Sequence, residues 1–187
     1  MILHYIFALL SLQSYKTYSA NISFKLKMNP DSTWLSKAPN IDFKKYRFIL
    51  GSGSPTRRLI LSQLGISFTV LKASIDEKSI GDRGCGELGA RNLVLTIASS
   101  KAYSILKELR TSANIRNQLL LTADQVVVSG GRILEKPRDE YEFRSFLDGY
   151  YQQPCKTVGS IIITDVHSGT RVQVKFISYA LCNCFNS

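Results

Sequence analysis

Between Phe48 and Gly65 the sequence spells out a strand, a tight loop and a helix start, an order that commits the chain to helices layered on a sheet. Phe48-Ile49-Leu50 is a short apolar run closed by Gly51. Ser54 is suited to cap a helix, and Pro55 fits the first helical position, where its missing N–H is not needed. Leu59, Ile60, Leu61 and Leu64 then supply an apolar face before Gly65 ends the helix.

The rest of the chain continues the alternation. Ser67 to Leu71 reads as a second strand, followed by the acidic pair Asp76-Glu77 and a glycine-rich loop from Gly81 to Gly89. Leu93, Val94, Ile97, Ala98, Ala102, Ile105 and Leu106 recur at helical spacing, with Lys101 in their midst, pointing inward or snorkelling. Leu119–Leu121 and Val126–Val128 look like two buried strand segments interrupted at Thr122-Ala123-Asp124, and Gly130-Gly131 marks a hairpin back to Ile133-Leu134. A short helix is expected from Asp139 to Asp148, and a second hairpin from Ser160–Thr164 and Arg171–Phe176 around Asp165–Gly169. The two hairpins make an α/β fold with a mixed sheet, whose strand order the pattern leaves open.

Size and composition permit one core: the chain has 187 residues, 44% of them hydrophobic and 20% charged. The net charge of +10 is split evenly, because residues 1–47 carry +5 and the much longer remainder carries the other +5. The body is therefore only mildly basic. Its cations are dispersed and do not alternate with aromatics, which argues against a nucleic-acid partner. Cys85, Cys155, Cys182 and Cys184 lack metal-ligand spacing, and His4 and His167 have no neighbours to ligate with, so reduced thiols in a cytoplasmic protein are expected.

Residues 1–46 are expected to be a leader or N-terminal extension. Ile2–Leu12 is apolar and Tyr18-Ser19-Ala20 offers small residues for cleavage, but a positive n-region is lacking. The run is too short to span a bilayer, so a membrane anchor is not expected. Met28 is an alternative start, and Met28–Lys45 is a polar lead-in.

The Gly51–Arg58 loop has what phosphate binding requires. Its glycines allow close backbone approach, its hydroxyls donate, the helix start presents free N–H groups, and Arg57 and Arg58 add charge. An ordinary capped helix with two solvated arginines is the competing reading. Asp124, at the end of an apolar strand, is costly there unless it pairs with a cation, binds metal or catalyses; otherwise it forms a turn. Glu77, Glu135 and Lys136 are singly no more than surface charges.

Five segments together carry more: Ser52-Gly53-Ser54-Pro55-Thr56-Arg57-Arg58, Ile75-Asp76-Glu77, Ala98-Ser99-Ser100-Lys101-Ala102, Thr122-Ala123-Asp124-Gln125-Val126-Val127 and Leu134-Glu135-Lys136-Pro137. Their order and spacing resemble the Maf family of nucleoside triphosphate pyrophosphatases, over about Arg47 to Lys175. The resemblance implies a Maf-like fold, related to the inosine triphosphate pyrophosphatases, with a twisted mixed sheet and a cleft between two lobes. It also implies cleavage of a nucleoside triphosphate to monophosphate and pyrophosphate with Mg²⁺ or Mn²⁺, without a covalent intermediate. Carried over, Asp124 is the general base, Glu77 and Asp124 manage the metal and the attacking water, and Lys101 supports phosphate or metal-bound oxygens. Ser52, Ser54, Arg57 and Lys136 are expected to hold phosphate, and Gln125 to read base or sugar. Thr56 departs from the bulkier or basic residues of familiar members and leaves the base open, with dTTP or UTP favoured over modified nucleotides.

The resemblance extends to residues 47–176 as an incomplete domain, and Ile177–Ser187 is expected to be a non-matching tail. The family pattern goes on to a further helix, an Ala-Gly-Gly segment and more strands, and a homodimer requires the complete domain. The competing expectation is a truncated form that binds nucleotide or a partner without hydrolysing it.

Overall fold

The computed structural model describes residues 23–25, 45–83, 86–111, 115–153 and 155–181. The strands are β1 (Ser23–Lys25), β2 (Arg47–Leu50), β3 (Phe68–Val70), β4 (Gln118–Ser129), β5 (Arg132–Leu134), β6 (Cys155–Asp165) and β7 (Arg171–Leu181). The α-helices are α1 (Pro55–Gln63), α2 (Gly86–Leu109) and α3 (Glu140–Gln152), and a 3₁₀ turn spans Glu77–Ser79. The strands form one sheet in the order β1-β7-β6-β4-β2-β3, with β5 also on β4. β2 runs parallel to both β3 and β4, whereas β4–β5, β4–β6, β6–β7 and β1–β7 are antiparallel, so the sheet is mixed as expected.

Helices cover both faces of this sheet. On one, Ile60 and Leu61 of α1 pack against Phe48, Leu50, Leu121, Ala123 and Ile161. On the other, α2 lays down a helical stripe that includes Leu93, Val94, Ile97, Ala102 and Ile105 against β4 and β6. Each fully buried Leu or Ile of that stripe contributes roughly 1.5–3 kcal/mol by removal from water. Two hydroxyls pin the helix to the sheet: Thr122 Oγ1 donates to the Ala98 carbonyl at 3.0 Å and Ser160 Oγ to the Val94 carbonyl at 2.8 Å.

Several element boundaries differ from the sequence reading. β4 is one strand, not two segments, because its ladder with β6 is continuous from Leu119 to Val128. The polar residues that looked like a break find partners on α2. That helix begins at Gly86, inside the stretch read as loop, where the Gly86 N–H donates to the Gly131 carbonyl at 2.8 Å. α3 runs four residues past Asp148, and β7 continues through Ile177 to Leu181, the start of the expected tail. The short strand β1, within the expected leader, pairs with Tyr179–Leu181. Cys182, Cys184, Cys85 and the proposed start at Met28 lie outside the described residues; Cys155 is a buried free thiol.

Candidate functional site

The site grows from a notch in the sheet. Along one edge of β4 the ladder with β2 ends at Leu121 and the ladder with β5 begins at Val127. Thr122 to Val126 therefore lie between two partners, at the carboxyl end of the parallel strands, where α/β sheets open a crevice. Gly51, the first residue after β2, sits where a Cβ would stand 2.6 Å from Thr122 Cγ2 and 2.8 Å from Ile105 Cδ1. Its lack of a side chain serves this close packing of loop, strand and helix.

The loop is organised by its hydroxyls. Ser54 caps α1, accepting from the Arg57 N–H at 3.4 Å, and Pro55 occupies the first turn as expected. Ser52 is buried, and its Oγ accepts from the Ser54 N–H at 3.2 Å and from Arg57 Nη1 at 3.0 Å. With both lone pairs engaged, its own hydrogen is left to donate. Arg57 Nη1 also donates to the Ala123 carbonyl at 3.0 Å, tying the loop to the notch. Burial lowers the Arg57 pKa, against the opposing pull of Asp124 and Glu77.

Opposite the loop stands an ion triad. Lys101 is the only charged residue in the buried stripe of α2. Its Nζ lies 3.0 Å from Asp124 Oδ1 and 2.8 Å from Glu77 Oε2. The Lys101 and Asp124 side chains are 9% and 12% exposed, Glu77 50%, so the inner pair is shielded and the outer one meets water. Burial raises the Asp124 carboxyl above its ordinary value near 3.8, with Lys101 and Arg57 pulling it back and Glu77 adding to the rise.

The acidic pair divides its labour. Asp76 caps the 3₁₀ turn, accepting from the Lys78 N–H at 3.1 Å, which releases Glu77 to reach Lys101. Arg83, which sequence reasoning missed, clamps this turn by donating to the carbonyls of Glu77 at 2.9 Å, Ile80 at 2.7 Å and Gly81 at 3.3 Å, and it pairs with Glu135 at 3.3 Å. Its position in a glycine-rich stretch carries no local signal of that role.

The structure thus gathers Ser52, Arg57, Glu77, Lys101 and Asp124 around the notch. Ser54 is occupied as a cap, Lys136 is exposed just beyond β5, and Gln125, half-buried, follows Asp124 onto the α1 side of the sheet with Ala123. Two surface hollows, of about 150 Å³ beside Asn92 and Thr96 and about 300 Å³ beside Tyr103 and Arg110, lie elsewhere. Among the described residues no group of three or more His, Cys, Asp or Glu side chains is placed to hold a metal, and no helix is long and apolar enough to cross a membrane.

Residues 47–181 match the family described as Maf-like protein. A 7-methyl-GTP pyrophosphatase of Dictyostelium discoideum is 32% identical over 127 residues, 67% of this chain and 62% of that protein. A dTTP/UTP pyrophosphatase of Halalkalibacterium halodurans is 34% identical over 121 residues, covering 65% and 57%. A nucleoside triphosphate pyrophosphatase of Chlamydia pneumoniae is 31% identical, with the same coverage. The matched part of the chain spans about three fifths of the length of these relatives.

Proposed function

The chain belongs to the Maf family, and from that premise we propose that it hydrolyses a nucleoside triphosphate to the monophosphate and pyrophosphate. The observation that carries the reading is the shielded carboxylate of Asp124, paired with Lys101 at 3.0 Å, next to the Ala123 carbonyl to which Arg57 of the Ser52–Arg57 loop is tied. A carboxyl raised by burial is a better base than an exposed one, and Lys101, paired with it at 3.0 Å, favours its charged form. Ser52 and Arg57 supply donors to phosphate oxygens, and the start of α1 adds a favourable dipole. Lys136, exposed just beyond β5, is assigned to the outer phosphates, and Gln125 to the nucleoside.

A divalent cation, Mg²⁺ or Mn²⁺, fits this donor set. Glu77 and Asp124 present oxygens to one shared ammonium, and such ions are commonly held by one or two carboxylates together with substrate phosphates. When bound it neutralises charge on the polyphosphate. The substrates favoured are dTTP or UTP, with 7-methyl-GTP and other modified nucleotides as the competing class; both appear among the names of the relatives. The cytoplasm, where triphosphates are abundant, is the assigned compartment.

Incubation with a panel of nucleoside triphosphates and Mg²⁺, with chromatographic identification of products, tests the proposal. Monophosphate and pyrophosphate are expected. Diphosphate and orthophosphate would refute it, and binding without turnover would support the alternative of a form that holds nucleotide unchanged.

A further inference from the structure

We propose that Lys72 is a phosphate-binding residue of the Gly51–Arg58 loop, a third side of the grip formed by Ser52 and Arg57. The inference deepens the pyrophosphatase reading and rests on it for the substrate. Lys72 follows β3, and the residue before it is tied to the neighbouring strand, the Leu71 N–H donating to the Leu50 carbonyl at 3.1 Å. β2, β3 and β4 are mutually parallel here, so the turns after β2 and β3 emerge at the same end of the sheet as Asp124. That end is where α/β sheets receive ligands.

The lysine stem crosses the loop itself. A Cβ at Gly53 would stand 3.2 Å from Lys72 Cε and 3.9 Å from Nζ, so the ammonium sits over the loop backbone beside the start of α1. Lys72 is exposed and makes no hydrogen bond or ion pair among the described residues. Charge accounting around the notch gives that freedom its meaning. Lys101 is committed to two carboxylates, and Arg57 to Ser52 and the Ala123 carbonyl. Beside Arg57, Lys136 and a divalent cation, Lys72 is a further cation, held at the loop with its donors uncommitted and available to phosphate oxygens.

The test measures binding of inorganic pyrophosphate and of a non-hydrolysable α,β-imido triphosphate to the full chain by calorimetry at low and high salt. Lys72→Ala is expected to weaken both roughly tenfold, as loss of a charged hydrogen bond does, and to flatten the salt dependence. Lys72→Arg should restore most of the affinity, while Lys107→Ala, an equal loss of charge on an exposed turn of α2, should leave it unchanged. An unaltered melting temperature in each variant separates lost binding from lost fold. Lys72→Ala binding like Lys107→Ala would overturn the inference and leave the pyrophosphatase reading standing. Lys72-dependent pyrophosphate binding without hydrolysis of any triphosphate would overturn the activity alone, and a wild-type chain that binds neither probe would overturn both.

Discussion

Replacing Lys101 by Met keeps the aliphatic stem in the α2 stripe and deletes only the ammonium that Asp124 and Glu77 share. The two contacts are not worth the same. Glu77 is half exposed, and its pairing contributes no more than about 1 kcal/mol. Asp124 is almost enclosed, and removing one member of a buried pair costs roughly 3–5 kcal/mol. Arg57 still faces Asp124, and the carboxyl can take up a proton, so the lower end, about 3 kcal/mol at neutral pH, is the expectation. For a chain of this size that lowers Tm by roughly 6–12 °C.

The loss must depend on pH. Asp124 already has a folded pKa above its ordinary value near 3.8, so the unfolded chain releases this proton first. As pH climbs from that value to the folded one the group subtracts stability, and without Lys101 the window extends further upward. The Lys101→Met penalty is therefore small near pH 4 and grows towards pH 8, by about the whole 3 kcal/mol. Urea unfolding at the two pH values measures it, and adding Asp124→Asn should recover part of the loss by removing the unpaired charge. A penalty equal at both pH values, or none at either, would refute the ion-triad argument.

Other consequences follow from the same contacts. Arg57→Lys cannot reproduce the reach to both Ser52 and the Ala123 carbonyl, and KM for the triphosphate should rise about tenfold with less change in kcat. Arg83→Ala frees the Glu77–Ser79 turn, so amide hydrogen exchange should accelerate across residues 77–81, and Lys101 alone should remain to position Glu77.

What the sequence disclosed was local. Ser54-Pro55 announces a helix start because cap and first turn depend on adjacent residues, and the spacing of Leu93 to Leu106 announces a buried helical stripe for the same reason. Asp124 misled, since a carboxylate amid apolar residues reads as a break, whereas its partner stands twenty-three residues away on α2 and the strand continues through it. Gly86 misled likewise, because the start of α2 is fixed by a hydrogen bond to Gly131 across the fold. Ser52, Arg57, Glu77, Lys101 and Asp124 converge in space, which family order implied and local pattern alone did not. Arg83 and Lys72 escaped notice because one donates to backbone carbonyls and the other stands over Gly53, in a loop separate in sequence.

The central claim is that binding and chemistry occupy opposite sides of one notch, phosphate on the Ser52–Arg57 side and proton transfer at Asp124. Asp124→Asn separates them, since the amide keeps the shape but cannot take a proton. With Mg²⁺ present, the account predicts that turnover falls roughly 10²–10⁴-fold while binding of the α,β-imido triphosphate remains measurable through Ser52 and Arg57. Turnover at the wild-type rate would contradict it.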